Sequence, residues 1–79
     1  MSDTLEEIDV REIEPKHKHP IIFEKFDNLN DGEAFIIIND HDPKPIKYEL
    51  AAERANEKFI WKYLEKGPNV WKVRIGKTD

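Results

Sequence analysis

The stretch "KFIWKYLEKGPNVWKVRI", Lys58 to Ile75, reads as two strands of period two joined by a turn at Gly67-Pro68-Asn69. Pairing Tyr63 with Trp71, Trp61 with Val73 and Phe59 with Ile75 gathers these large apolar residues on one face. The other face then carries Lys58, Ile60, Lys62, Leu64, Val70, Lys72 and Arg74, because alternate residues of a strand point to opposite sides. Phe59, Trp61, Tyr63 and Trp71 have two readings: a stacking platform for single-stranded nucleic acid, or a core beneath helices. If they faced water, the lysines and the arginine would have to face the helices, and each buried unpaired charge would cost several kcal/mol. A domain this small does not absorb such a cost. The net charge of -4 also gives no pull toward nucleic acid. The aromatics are therefore expected in the core, with no nucleic-acid partner.

Outside the hairpin, Glu33 to Asn39 is the clearest strand, and its unbroken apolar run suits a central position. Glu7 to Val10, with Ile8 and Val10 alternating, is a shorter one. Between them Arg11 to His19 reads as a polar loop, and Pro20 suits the first turn of a helix, where its missing N–H costs nothing. Ile22, Phe23, Phe26 and Leu29 follow at helical spacing up to a stop near Asn30-Asp31-Gly32. After Asn39 the loop "NDHDPKP" leads to Pro45, which opens a second helix ending between Glu53 and Asn56. Its buried face is either Ile46 and Leu50 or the stripe Tyr48, Ala51, Ala52 and Ala55.

The order strand, helix, strand, helix, strand, strand implies an α/β (α+β) two-layer sandwich. Right-handed crossovers put both helices on one face of a mixed four-stranded sheet and leave the other face open. Residues 1–6 are expected as a flexible acidic lead-in, 7–76 as a single domain and 77–79 as a tail.

Composition narrows the chemistry. Charged residues make up 38% of the 79, against about 25% in typical globular proteins, with the two signs nearly balanced. There is no cysteine, so disulfides, thiolate metal sites, persulfide carriage and cysteine nucleophiles are excluded. The longest apolar run, Ala34 to Ile38, is too short to span a membrane. The amino terminus is acidic and lacks the basic start and apolar core of a signal peptide, so a cytoplasmic location is expected.

All three histidines lie in "KHKHP", Lys16 to Pro20, and in "NDHDPKP", Asn39 to Pro45. Ligands of open α/β sheets bind beyond the carboxyl ends of parallel strands. If the first two strands are parallel, both stretches emerge at one edge. Three readings follow. A divalent metal, zinc or iron, could be held by His17, His19, Asp40, His41 and Asp42. A small anion could be held by Arg11, His19 and a helix amino terminus, with Asp42 beside them. Alternatively the loops are structural, Asp42 capping the second helix and His19 the first. Catalysis, with His19 or His41 as an acid–base group, ranks behind binding: there is no Ser–His–Asp order and no phosphate-cradling glycine loop. Ile60, Leu64 and Val70 on the open face read either as a docking surface or as ordinary surface.

Several of these residues also carry a resemblance: Ile8-Asp9-Val10-Arg11, His19-Pro20, Asp31-Gly32-Glu33, Asn39 to Pro45, and Trp61 with Gly67-Pro68 and Trp71-Lys72-Val73. From Ile8 to Ile75 the chain resembles the TusA-like sulfur-carrier fold and, more closely, the proteins known as domain of unknown function 2249. In sulfur carriers a Cys-Pro pair opens the first helix; here His19-Pro20 stands there, so the resemblance implies the fold and the working edge near His19 and Asp42-Pro43, without sulfur transfer. It also implies an accessory role beside hemerythrin-like or cupin-like partners, some linked to nitrogen-oxide metabolism.

Overall fold

A computed structural model describes residues 5–55 and 57–78. The chain runs β1 (Glu6–Asp9), α1 (Pro15–Asp27), β2 (Ala34–Asn39), α2 (Lys44–Glu53), β3 (Lys58–Lys66) and β4 (Trp71–Thr78). The strands form one mixed sheet in the order β1-β2-β4-β3. β1 pairs parallel to β2, from Glu6 opposite Phe35 to Asp9 opposite Ile38. β4 pairs antiparallel to both β2 and β3. This is the mixed four-stranded sheet with two helices that the sequence implied, and the apolar run of β2 does occupy an interior position.

One face of the sheet supplies the core. Phe35 and Ile37 of β2 lie opposite Ile75 and Val73 of β4, and all four are fully buried. Ile22, Phe23 and Phe26 of α1 and Ile46 and Leu50 of α2 close over them. Each such side chain contributes about 1.5–3 kcal/mol by leaving water. Tyr48 stays exposed, so Ile46 and Leu50 are the buried stripe of α2. Phe59, Trp61 and Tyr63 pack against this core, and Lys58 and Lys62 point outward into solvent. The aromatic face thus lies beneath the helices. Tyr63 meets both Trp61 and Trp71 edge-on, with ring centroids 6.3 and 6.2 Å away.

Three details differ from the sequence reading. α1 starts at Pro15, not Pro20, so His17 and His19 are helical and the loop after β1 is short. Both prolines have the credentials of a first-turn residue; Pro15 takes that place, and Pro20 sits farther in, exposed, giving up one helical hydrogen bond. The hairpin register is shifted by two, with Tyr63 opposite Val73 and Trp61 opposite Ile75, and an irregularity between Tyr63 and Glu65 accommodates Leu64. A shift of two preserves the faces, which is why the core survives it. The ends also reach further: β1 includes Glu6 and β4 includes Lys77 and Thr78, while residues 1–4 of the expected lead-in and residue 79 of the expected tail lie outside the described residues.

Gly67 has φ +62, and a Cβ there would come within 2.8 Å of the Trp71 indole, so the turn requires glycine. No helix among the described residues is long and apolar enough to cross a membrane.

Candidate functional site

Because β1 and β2 are parallel, the connections that follow them leave the sheet at the same edge. A cleft of about 170 Å³ opens there between the start of α1 and the start of α2. His19 and His41, one from each histidine-bearing stretch, both line it, together with Lys18, Asn39 and Glu49. A larger hollow of about 330 Å³ lies against β1 and α1, lined by Ile8, Pro20, Ile21, Glu24, Lys25 and Asn28. Lys25 is the cation in that lining, and it is already paired with Glu6. The smaller cleft brings more unlike polar groups together.

The expected site residues take individual places around this edge. Arg11 grips Asp9 with Nε at 2.9 Å and Nη2 at 2.6 Å. Those side-chain bonds, with the Arg11 backbone N–H, lower the Asp9 pKa to about 2. His17 is exposed on α1; two residues from His19 on a helix, it projects in a different direction. His41 pairs through Nδ1 with Asp40 at 2.6 Å, and that bond, reinforced by the charges of Lys18 and His41, holds the Asp40 carboxyl below its usual range. Asp42 accepts hydrogen bonds from the Tyr63 hydroxyl at 2.8 Å and from the Lys44 backbone N–H at 3.0 Å. It therefore ties the hairpin to the entry of α2 but is not the expected cap, since Pro43 occupies the cap position and makes no side-chain cap hydrogen bond. His19 caps nothing: it lies inside α1, stacked on Phe23 at 3.9 Å between centroids, with Nε2 3.1 Å from Glu53 Oε2.

The donors regroup accordingly. His17, His19, Asp40, His41 and Asp42 do not come together as one ligand set; among the described residues the group with mutually close donor atoms is His19, Glu49 and Glu53, all within 4.8 Å of one another. Glu49 and Glu53 are four apart on α2 and so share one face of it. Imidazole nitrogen with two carboxylates is a donor set for a divalent ion of the zinc or ferrous type.

Residues 7–77 match the model of a family described as an uncharacterized conserved protein (DUF2249). The chain belongs to that family. No curated protein and no solved structure matches it. None of the 79 residues of this DUF2249 chain is a cysteine, so none of them can carry a persulfide.

Four residues of the DUF2249 edge escaped the sequence reading. Lys18 is buried, with 6% of its surface exposed, and its Nζ donates to Asn39 Oδ1 at 2.8 Å. Reading Arg11 to His19 as a loop hid that contact; with α1 starting at Pro15, Lys18 faces the end of β2. Glu49 and Glu53 were not among the expected site residues. Their spacing of four was the available signal, but nothing in the sequence alone placed His19 opposite them.

Proposed function

We propose that the chain is a small binding and accessory module that holds a divalent metal ion between α1 and α2, with His19 Nε2 and one carboxylate oxygen each from Glu49 and Glu53 as donors. The observation that carries this reading is the approach of three donors from two helices to within 4.8 Å. Zinc takes imidazole nitrogen and carboxylate oxygen at about 2.0–2.2 Å, which puts neighbouring donors roughly 3.3 Å apart. Exposed glutamates close that remaining ångström or so by changing rotamer. Stacking on Phe23 already orients the His19 ring. Without a cation, two carboxylates four apart on one helix repel by about 0.2–0.5 kcal/mol. Three protein ligands leave a coordination position for water, a small ligand or a partner's side chain. Of the five donors expected from the sequence, this reading keeps His19 and replaces the rest. The expected company belongs to the same proposal: a cytoplasmic setting, hemerythrin-like or cupin-like partners, and redox or nitrogen-oxide metabolism.

The test is titration of zinc and ferrous iron into metal-free protein by calorimetry, with the histidine side chains followed by NMR. His19 is expected to shift at micromolar metal, His17 to stay still, and Glu49→Gln or Glu53→Gln to weaken binding at least tenfold. The reading fails if no metal binds below millimolar, or if His17 and His41 respond while His19 does not.

A second reading, a protein-interaction module without metal, is favoured by the open sheet face, where Ile60 is 47% and Leu64 46% exposed. Val70, half-buried beside the turn, adds less to it. Leu64→Glu would then abolish capture of the partner while leaving His19 and the metal titration unchanged.

A further inference from the structure

Independently of the metal reading, we infer that the inner end of the cleft is a receptor for a small, singly charged carboxylate, with the Lys18 ammonium as its anchor. Lys18 is the buried cation of the described residues, and its observed partner is the neutral amide of Asn39 at 2.8 Å. An ammonium carries three donors, and a buried one without a counter-ion is costly. Three other lysines, all less buried, each face a carboxylate: Lys16 meets Glu14, Lys25 meets Glu6 and Lys77 meets Glu57. Lys18 has no such pair among the described residues. Asp40 feels its charge, but that carboxylate is committed to His41 at 2.6 Å. The geometry thus presents a desolvated positive charge to a cleft with no negative partner on it.

The surroundings select the ligand. Pro15, Pro43, Pro45 and Ile46 give the cleft apolar walls beside Lys18 and Asn39. A carboxylate head on the ammonium leaves its hydrocarbon tail against those walls. The volume of about 170 Å³ is well below the 300 Å³ or more of sites for drug-sized molecules, so the tail is a few carbons long. One full cation balances one negative charge. A dianion such as phosphate would add a second charge near Glu49, which lines the same cleft, and near Asp40.

The experiment uses the full chain stripped of metal, titrated with sodium butyrate and, separately, with inorganic phosphate, by calorimetry and two-dimensional NMR. Wild type is expected to bind butyrate saturably, with shifts centred on Lys18, Asn39 and Ile46, and phosphate at least tenfold more weakly. Lys18→Met, similar in shape and uncharged, is expected to lose at least tenfold in butyrate affinity. Asn39→Asp gives the ammonium a carboxylate of the protein's own, and is expected to lose as much while remaining folded; it decides the matter if Lys18→Met does not fold. Absence of saturable butyrate binding, tighter binding of phosphate, or unchanged butyrate affinity in either folded variant would overturn the inference. Because no metal is present, these outcomes are separate from success or failure of the His19, Glu49 and Glu53 site.

Discussion

Within α1 the residues after Pro20 and those before it bury opposite things. Ile22, Phe23 and Phe26 enter a dry core, where Phe26 meets Phe59 edge-on at 6.1 Å and lies under the Lys77 ammonium at 4.8 Å. One turn earlier the buried residue is Lys18, held by an amide. Lys16 and His17 beside it face solvent, and His19 turns toward Glu53 on α2. The same helix therefore does two jobs. Its second half stabilises the sandwich by removing hydrocarbon from water. Its first half places a charge where stability alone would favour a leucine or methionine, which is why the cleft, and not the aromatic hairpin, is the candidate site.

The contrast breaks most visibly at Phe26. Phe26→Ala leaves a cavity under both β3 and β4, and urea denaturation should show a loss of about 3–5 kcal/mol. Lys18→Met, at a comparably buried position, should cost less, at most about 1–3 kcal/mol, because removal of a desolvated charge is set against the loss of the donor to the buried Asn39 Oδ1. A loss on the scale of Phe26→Ala would mean that both halves of the helix are structural.

The smallest expected effect lies at the far end of α1. Arg54 Nε and Nη2 donate to Asp27 at 2.8 and 2.7 Å, and those bonds lower the Asp27 pKa. A carboxylate whose folded pKa lies below its unfolded value, near 4, stabilises the fold above that pH and loses the contribution as pH falls through the folded pKa. The pair is partly exposed, so the gain at neutral pH is at most about 1 kcal/mol after screening. Urea midpoints measured from pH 7 down to 2 should fall on the acid side, and Asp27→Asn should flatten that fall. An unchanged slope would assign the acid sensitivity to other carboxylates, Asp9 and Asp40 foremost.

Much of the fold was legible because its signals are periodic. The apolar run of β2 and the alternation in β3 and β4 survive an error of two in register, since such a slip returns every side chain to its own face. The start of α1 was not legible in the same way. Pro15 and Pro20 are both plausible first-turn residues, and only the packed structure shows which one opens the helix. The candidate site inherited that ambiguity. Moving His17 and His19 from a loop onto a helix separates the two imidazoles, brings His19 to Glu53 and sends Lys18 to Asn39. Asp42 was legible as a residue of the entry to α2, because its bond to Lys44 lies two residues away, although Pro43 and not Asp42 takes the cap position. Its bond to Tyr63 was not, because that depends on how the hairpin meets the β2–α2 loop.

The irregularity at Leu64 has a consequence for how these molecules coexist at high concentration. β3, nine residues long, closes one side of the sheet, and its free backbone groups are a template on which a strand from another molecule could pair. Lys58, Lys62 and Lys66 spread positive charge along that border, and the irregularity beside Leu64 breaks the straight ladder a visiting strand would need. The opposite border is β1, four residues long and too short to seed much pairing. The sheet can therefore leave Ile60 and Leu64 uncovered on its outer face while both of its borders discourage fibre formation.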